Sequence, residues 1–87
     1  MNFLHYEYQL KKGDVIEVKL DKQANVLLLD ELNFSYYKKG KKYSYIGGLS
    51  KKLKINLTSP YKGHWHLVID LGGHAGTVKA SVRVNKC

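Results

Sequence analysis

Eighty-seven residues, 44% of them hydrophobic and only one a proline, suffice for a single two-layer domain and are too few for a second, and that apolar content excludes a disordered chain. Fifteen lysine and arginine residues against seven acidic ones give a net charge of +8, which favours an anionic partner: nucleic acid, a phosphorylated ligand, an anionic surface or an acidic protein. No apolar run approaches the roughly 20 residues that span a bilayer, and Met1-Asn-Phe-Leu-His has neither the basic start nor the apolar core of a signal peptide, so a cytoplasmic chain without a membrane span is expected. The single cysteine, Cys87, is the last residue and cannot close an internal disulfide.

Along the chain, Leu4, Tyr6, Tyr8 and Leu10 alternate with His5, Glu7 and Gln9, the period of two that marks a half-buried strand. Lys11-Lys-Gly-Asp reads as a turn into a second strand with Ile16, Val18 and Leu20 inward, and the two strands read as a hairpin. Val26-Leu-Leu-Leu is a continuous apolar run, the pattern of a strand buried on both faces. From Phe34 to Tyr45 tyrosines and lysines mingle around Gly40, and this stretch is expected to be an irregular loop with a short strand near Tyr43 to Ile46. No usable amphipathic helix is expected anywhere. Gly47-Gly48 frees the backbone, with Leu49 expected to tuck beneath it. Leu53, Ile55 and Leu57 alternate in a further strand. The last two strands are the clearest: Trp65, Leu67, Ile69 and Leu71 form one apolar row, Val78, Ala80, Val82 and Val84 another, and the glycine-rich segment between them is expected to be a tight hairpin turn.

Six segments together resemble a small bacterial family known only as a domain of unknown function. They are Lys12-Gly-Asp-Val-Ile-Glu-Val, Ala24-Asn-Val-Leu-Leu-Leu-Asp, Asn33-Phe, Tyr45-Ile-Gly-Gly, Gly63-His-Trp-His-Leu-Val-Ile-Asp-Leu-Gly-Gly and Gly76-Thr-Val-Lys-Ala-Ser-Val-Arg-Val. The resemblance covers nearly the whole chain and rests most on the Gly-His-Trp-His block followed by Asp-Leu-Gly-Gly. It implies an all-β module of bacterial origin, a domain often N-terminal in longer proteins, some with TIR-type signalling domains. It implies no activity and no catalytic residues.

Chemistry-bearing constellations are few. His64, His66 and Asp70 share the face of their strand opposite the apolar row, and His74 follows in the turn. Two imidazoles two residues apart on a strand are able to share a metal ion, but Asp70, four residues beyond His66 and roughly 13 Å away, is out of reach without a bend. The serines are scattered with no nucleophile-elbow pattern, and Gly72-Gly-His-Ala-Gly lacks the Lys-Ser/Thr of a phosphate loop. Neither catalytic residues nor a metal or cofactor are assigned.

Charge patterning carries the functional expectation. Between Leu32 and Ile69 there is no acidic residue, while lysines stand at 38, 39, 41, 42, 51, 52, 54 and 62. The sequence therefore predicts an all-β fold in one domain, 1–87: a small antiparallel β-sandwich, jelly-roll-like or a partly closed barrel. Its expected function is that of a non-enzymatic recognition module, and the resemblance implies one of a signalling or defence-type system. Its partner surface is assigned to Tyr36, Tyr37, Lys38, Lys39, Lys41, Lys42, Tyr43, Tyr45, Lys51, Lys52 and Lys54, facing an anionic or protein partner. Two rivals use related chemistry: an oligonucleotide-binding domain with bases stacked on the tyrosines, and a lectin-like domain with sugars stacked on tyrosine or Trp65. An oligomer is compatible with either.

Overall fold

The alternating rows become two packed sheets. The computed structural model describes residues 3–72 and 76–86; His74 and Cys87 lie outside the described residues. In chain order these form β1 (Phe3–Leu10), β2 (Val15–Leu20), β3 (Ala24–Asp30), α1 (Glu31–Lys39), β4 (Ile46–Ser50), β5 (Lys54–Thr58), β6 (Gly63–Asp70) and β7 (Ala80–Asn85). One sheet has the order β1-β6-β3-β4 and the other β5-β2-β7, with every pairing antiparallel. The sandwich expectation holds, and the sheets do not close into a barrel.

Both expected hairpins are corrected. β1 pairs with β6, whereas β2 pairs with β5 and β7, so the turn at Lys11–Asp14 carries the chain from one sheet to the other. Asp14 is buried there and accepts from the Lys11 backbone N–H at 2.8 Å, which holds the corner. The segment after β6 likewise crosses between sheets, since β7 pairs with β2. Alternation reports which face of a strand is buried but not which strand lies beside it, and sheet-switching strands satisfy the same pattern as hairpins.

The core between the sheets is built from the inward rows. Ile16 and Val18 of β2 face Leu28 of β3 and Trp65, Leu67 and Ile69 of β6, all essentially inaccessible to water. Each such side chain contributes about 1.5–3 kcal/mol by leaving water. Trp65 is 3% exposed and its indole N–H donates to the Tyr61 carbonyl at 3.1 Å.

The expected loop after β3 is instead a helix. Asp30 caps it, accepting from the Asn33 N–H at 2.9 Å, and Glu31 adds an acid to the positive first turn. Gly40 ends it in a left-handed conformation (φ 72°), with Gly40 N–H donating to Tyr37 O and Lys41 N–H to Tyr36 O, the paired bonds of a Schellman closure. The nine-residue helix lies over the outer face of the four-stranded sheet, and Phe34 and Tyr37 pack on Leu27, Leu29 and Val68 to make a second, smaller core. β3 is therefore buried on both faces, as its continuous apolar run requires. At the sheet edge, Gly47 (φ 109°) comes so close to β3 that a Cβ there would lie 2.2 Å from the Val26 carbonyl oxygen. Leu49 does not tuck beneath these glycines: it is exposed on the outer face, opposite Asn25.

Candidate functional site

α1 crosses the outer face from the Trp65 end of β6 to its Asp70 end, and beside Leu27, Leu29 and Val68 it covers the polar side chains of His66 and Asp70. Tyr37 Oη donates to Asp70 Oδ2 at 2.7 Å, while Asn25 Nδ2 and the Gly72 N–H donate to Asp70 Oδ1, both at 2.8 Å. Burial, and then the bond to Asp70, push the Tyr37 hydroxyl well above the ordinary tyrosine range. Asp70 is thus an anchor for the C-terminal half of α1, apart from the histidines as the length of strand between them requires.

At the other end, His64 and His66 of β6 meet His5, Glu7 and Gln9 of β1 and Glu31 of α1. His66 is buried, its ring stacked on Phe34 (centroids 4.0 Å apart, planes at 11°) and beside His5, whose Nε2 lies 2.8 Å from His66 Nδ1. The half-buried His64 places Nδ1 2.9 Å from Gln9 Nε2 and Nε2 2.9 Å from Glu7 Oε1. Glu31 Oε1 is 3.2 Å from His66 Nε2, and Glu31 Oε2 is 3.8 Å from His64 Nε2. Burial and the neighbouring His66 lower the His5 pKa below its ordinary value. Hydrogen bonding to His64 lowers that of Glu7 against the weaker opposing effect of desolvation. Sequence reasoning placed His64 and His66 on one face but missed His5, Glu7 and Glu31. Glu31 belongs to the unrecognised helix, and only the Asp30 cap and the Gly40 stop signal pointed to that helix.

The Tyr/Lys tract is divided by the fold. Tyr37 is buried and unavailable to a partner, and Tyr43 is half-buried, packed edge-on against Tyr37 at 5.3 Å. Tyr36 is half-buried with Lys41 Nζ 6.0 Å from its ring centre, and Tyr45, half exposed, lines a groove with Tyr61 and Trp65 at the opposite end of β4. Lys38 lies over the Phe34 ring at 4.7 Å. Lys38, Lys39, Lys41, Lys42, Lys51, Lys52 and Lys54 are all exposed. Because Tyr37 reaches Asp70, and β3 pairs Asn25 with Asp70 and Ala24 with Ser50, the C-terminus of α1 and the connection bearing Lys51 and Lys52 lie at the same end of the sheet. Lys54 instead faces outward from the three-stranded sheet, 3.4 Å from Glu17. The buried Trp65 offers no ring face for a sugar.

Fold and site together define a two-sheet β-sandwich with, among the described residues, one helix laid over a sheet face of mixed polar and apolar side chains. The chain belongs to the family described as "Domain of unknown function (DUF1883)", whose model matches residues 1–87. No curated protein and no solved structure matches it. Among the described residues no helix is long and apolar enough to cross a membrane.

Proposed function

We propose that the chain is a non-enzymatic recognition module that binds an anionic partner through the lysines at the C-terminal end of α1 and on the β4–β5 connection. One observation carries this reading. All seven carboxylates are engaged elsewhere: Glu7 and Glu31 with histidines, Asp14 with Lys86, Glu17 with Arg83 and Lys54, Asp21 with the Lys79 backbone, Asp30 with Tyr61 and Asn33, and Asp70 with Tyr37 and Asn25. Among the described residues none lies within ion-pair distance of Lys38, Lys39, Lys41, Lys42, Lys51 or Lys52. An unneutralised group of like charges at one end of a small domain attracts counter-charge over about a Debye length, roughly 8 Å in physiological salt.

With Tyr37 buried in the second core and Tyr43 packed against it, fewer rings than lysines of the tract face solvent, so charge rather than base stacking is the main recognition term and an acidic protein surface is the favoured partner. A bacterial, cytoplasmic module of a signalling or defence-type system, joined in some proteins to TIR-type domains, fits this reading.

The test compares two triple reversals of equal net charge, Lys39/Lys41/Lys42→Glu and Lys11/Lys12/Lys79→Glu, in anisotropy titrations with a labelled glutamate-rich peptide and a labelled oligothymidylate. The first variant is expected to lose at least about tenfold more affinity for the peptide than the second. Equal losses would mean that net charge alone acts and that the tract is not the site. A clear preference for oligothymidylate, lost in Tyr45→Ala, would establish the oligonucleotide reading instead.

A further inference from the structure

We infer that the outer face of β6 carries a binding site for a divalent transition-metal ion of zinc's class, with His64, His66 and Glu31 as its ligands. The inference starts from one atom. His66 Nε2 is buried and has no hydrogen-bond partner, although the His66 side chain is only 3% exposed. A buried polar atom left unpaired loses its hydration with nothing in return, so the position calls for a partner. Glu31 Oε1 is 3.2 Å away, close enough for an ion pair but not in hydrogen-bond geometry.

The ligand atoms of Glu31, His64 and His66 all lie within 4.8 Å of one another. Donors about 2.0–2.2 Å from a tetrahedral ion stand about 3.3–3.6 Å apart, so closure on an ion draws in the Glu31 side chain, 70% exposed, and the His64 ring, one-third exposed, toward the fixed His66. Two imidazoles and one carboxylate suit zinc and its neighbours, not magnesium or calcium, which take oxygen donors.

The surroundings hold the two rings as metal-binding histidines are held. His66 is fixed in plane by Phe34, and its other nitrogen, Nδ1, is 2.8 Å from His5 Nε2. His64 Nδ1 is held by Gln9. Without metal, His64 Nε2–H donates to Glu7 and the Gln9 amide donates to Nδ1. Metal uptake requires the Nε2 lone pair, so the His64 proton moves to Nδ1, where Gln9 accepts it once its amide turns over. Glu7 Oε1, 2.9 Å from His64 Nε2, or water then stands beside the remaining coordination position. The same three ligands tie the first residue of α1 to β6, so the ion would fasten the helix over the sheet.

The test is zinc chloride titrated into the full chain after stripping with chelator, read by calorimetry and by thermal melting, with magnesium as the comparison ion. One saturable zinc site and a melting temperature that rises with zinc but not with magnesium are expected. Glu31→Gln, at an exposed position, should fold as the wild type does and bind zinc at least about tenfold more weakly, and His64→Gln should do the same. Cobalt should give the visible bands of a four-coordinate ion in the wild type and not in Glu31→Gln. A His74→Gln/Cys87→Ser double variant should retain the site. Absence of saturable zinc binding, undiminished affinity in both Glu31→Gln and His64→Gln, or loss of the site in the double variant would each overturn the assignment.

Discussion

The two faces of β6 are built from the same eight residues and do different work. The inward row, Trp65, Leu67 and Ile69, is apolar and packs against the second sheet; the outward row, His64, His66, Val68 and Asp70, is mostly polar and yet, beyond His64, equally buried, because α1 lies over it. On the inner face burial itself supplies the stabilisation, and almost any well-fitting apolar side chain would serve. On the outer face burial is a cost offset through particular partners, Tyr37 and Asn25 for Asp70, His5 for Nδ1 of His66, Gln9 and Glu7 for His64, while Nε2 of His66 is left without a hydrogen bond. A buried polar face is therefore where specificity, and any bound ion, is concentrated.

Substitutions of decreasing effect sharpen this contrast. Trp65→Ala removes the largest inward side chain and should lower stability by about 3–5 kcal/mol in urea titrations, enough to leave so small a domain largely unfolded. Phe34→Ala should cost about 3 kcal/mol, the low end for a buried aromatic, because its core is smaller. A cost near zero would mean that α1 adds nothing to the sheet. Tyr37→Phe keeps the ring and removes one donor from the buried Asp70 carboxylate, so about 2 kcal/mol should be lost, and Tyr36→Phe should be silent by comparison.

Acid should act on the outer face through His5. Its folded pKa lies below the ordinary 6.5, so the unfolded chain takes up the proton first. Stability from this group is unchanged above about pH 6.5, falls as the pH drops from there toward the folded value, and then levels off. The lowered Glu7 pKa acts in a separate window, its contribution being present above the ordinary carboxylate range and lost as pH falls through the folded value. Urea midpoints measured between about pH 7.5 and 5 should therefore decline less in His5→Gln than in the wild type. The smallest effect on folding belongs to Lys39/Lys41/Lys42→Glu, within about 0.5 kcal/mol of the wild type, since exposed charges couple weakly to stability.

The inward rows were legible in the sequence because a period of two survives whatever lies on the other side of the sheet. Val26-Leu-Leu-Leu also announced a strand covered twice, and its cover is α1. The helix itself was obscured because it buries only Phe34 and Tyr37, too few for a 3.6-residue pattern amid lysines and tyrosines, and its signals were confined to the ends, Asp30 and Gly40. Missing the helix hid Glu31. Glu31 reaches His66 only through the fold, and His5 and Glu7 reach it through the pairing of β1 with β6, of which the expected hairpin gave no sign. The positions of the lysines were plain from the sequence, but the partition of the tyrosines between core and surface depended on the helix.

The seating of α1 on the polar face of β6 is the central claim, and the most direct measurement of it is the nuclear Overhauser effect between the Phe34 and His66 ring protons in the full chain. With ring centres 4.0 Å apart the account predicts strong cross-peaks together with helical shifts over Glu31–Lys39. Extended or averaged shifts over those residues, with no contact between the two rings in an otherwise folded domain, would contradict it.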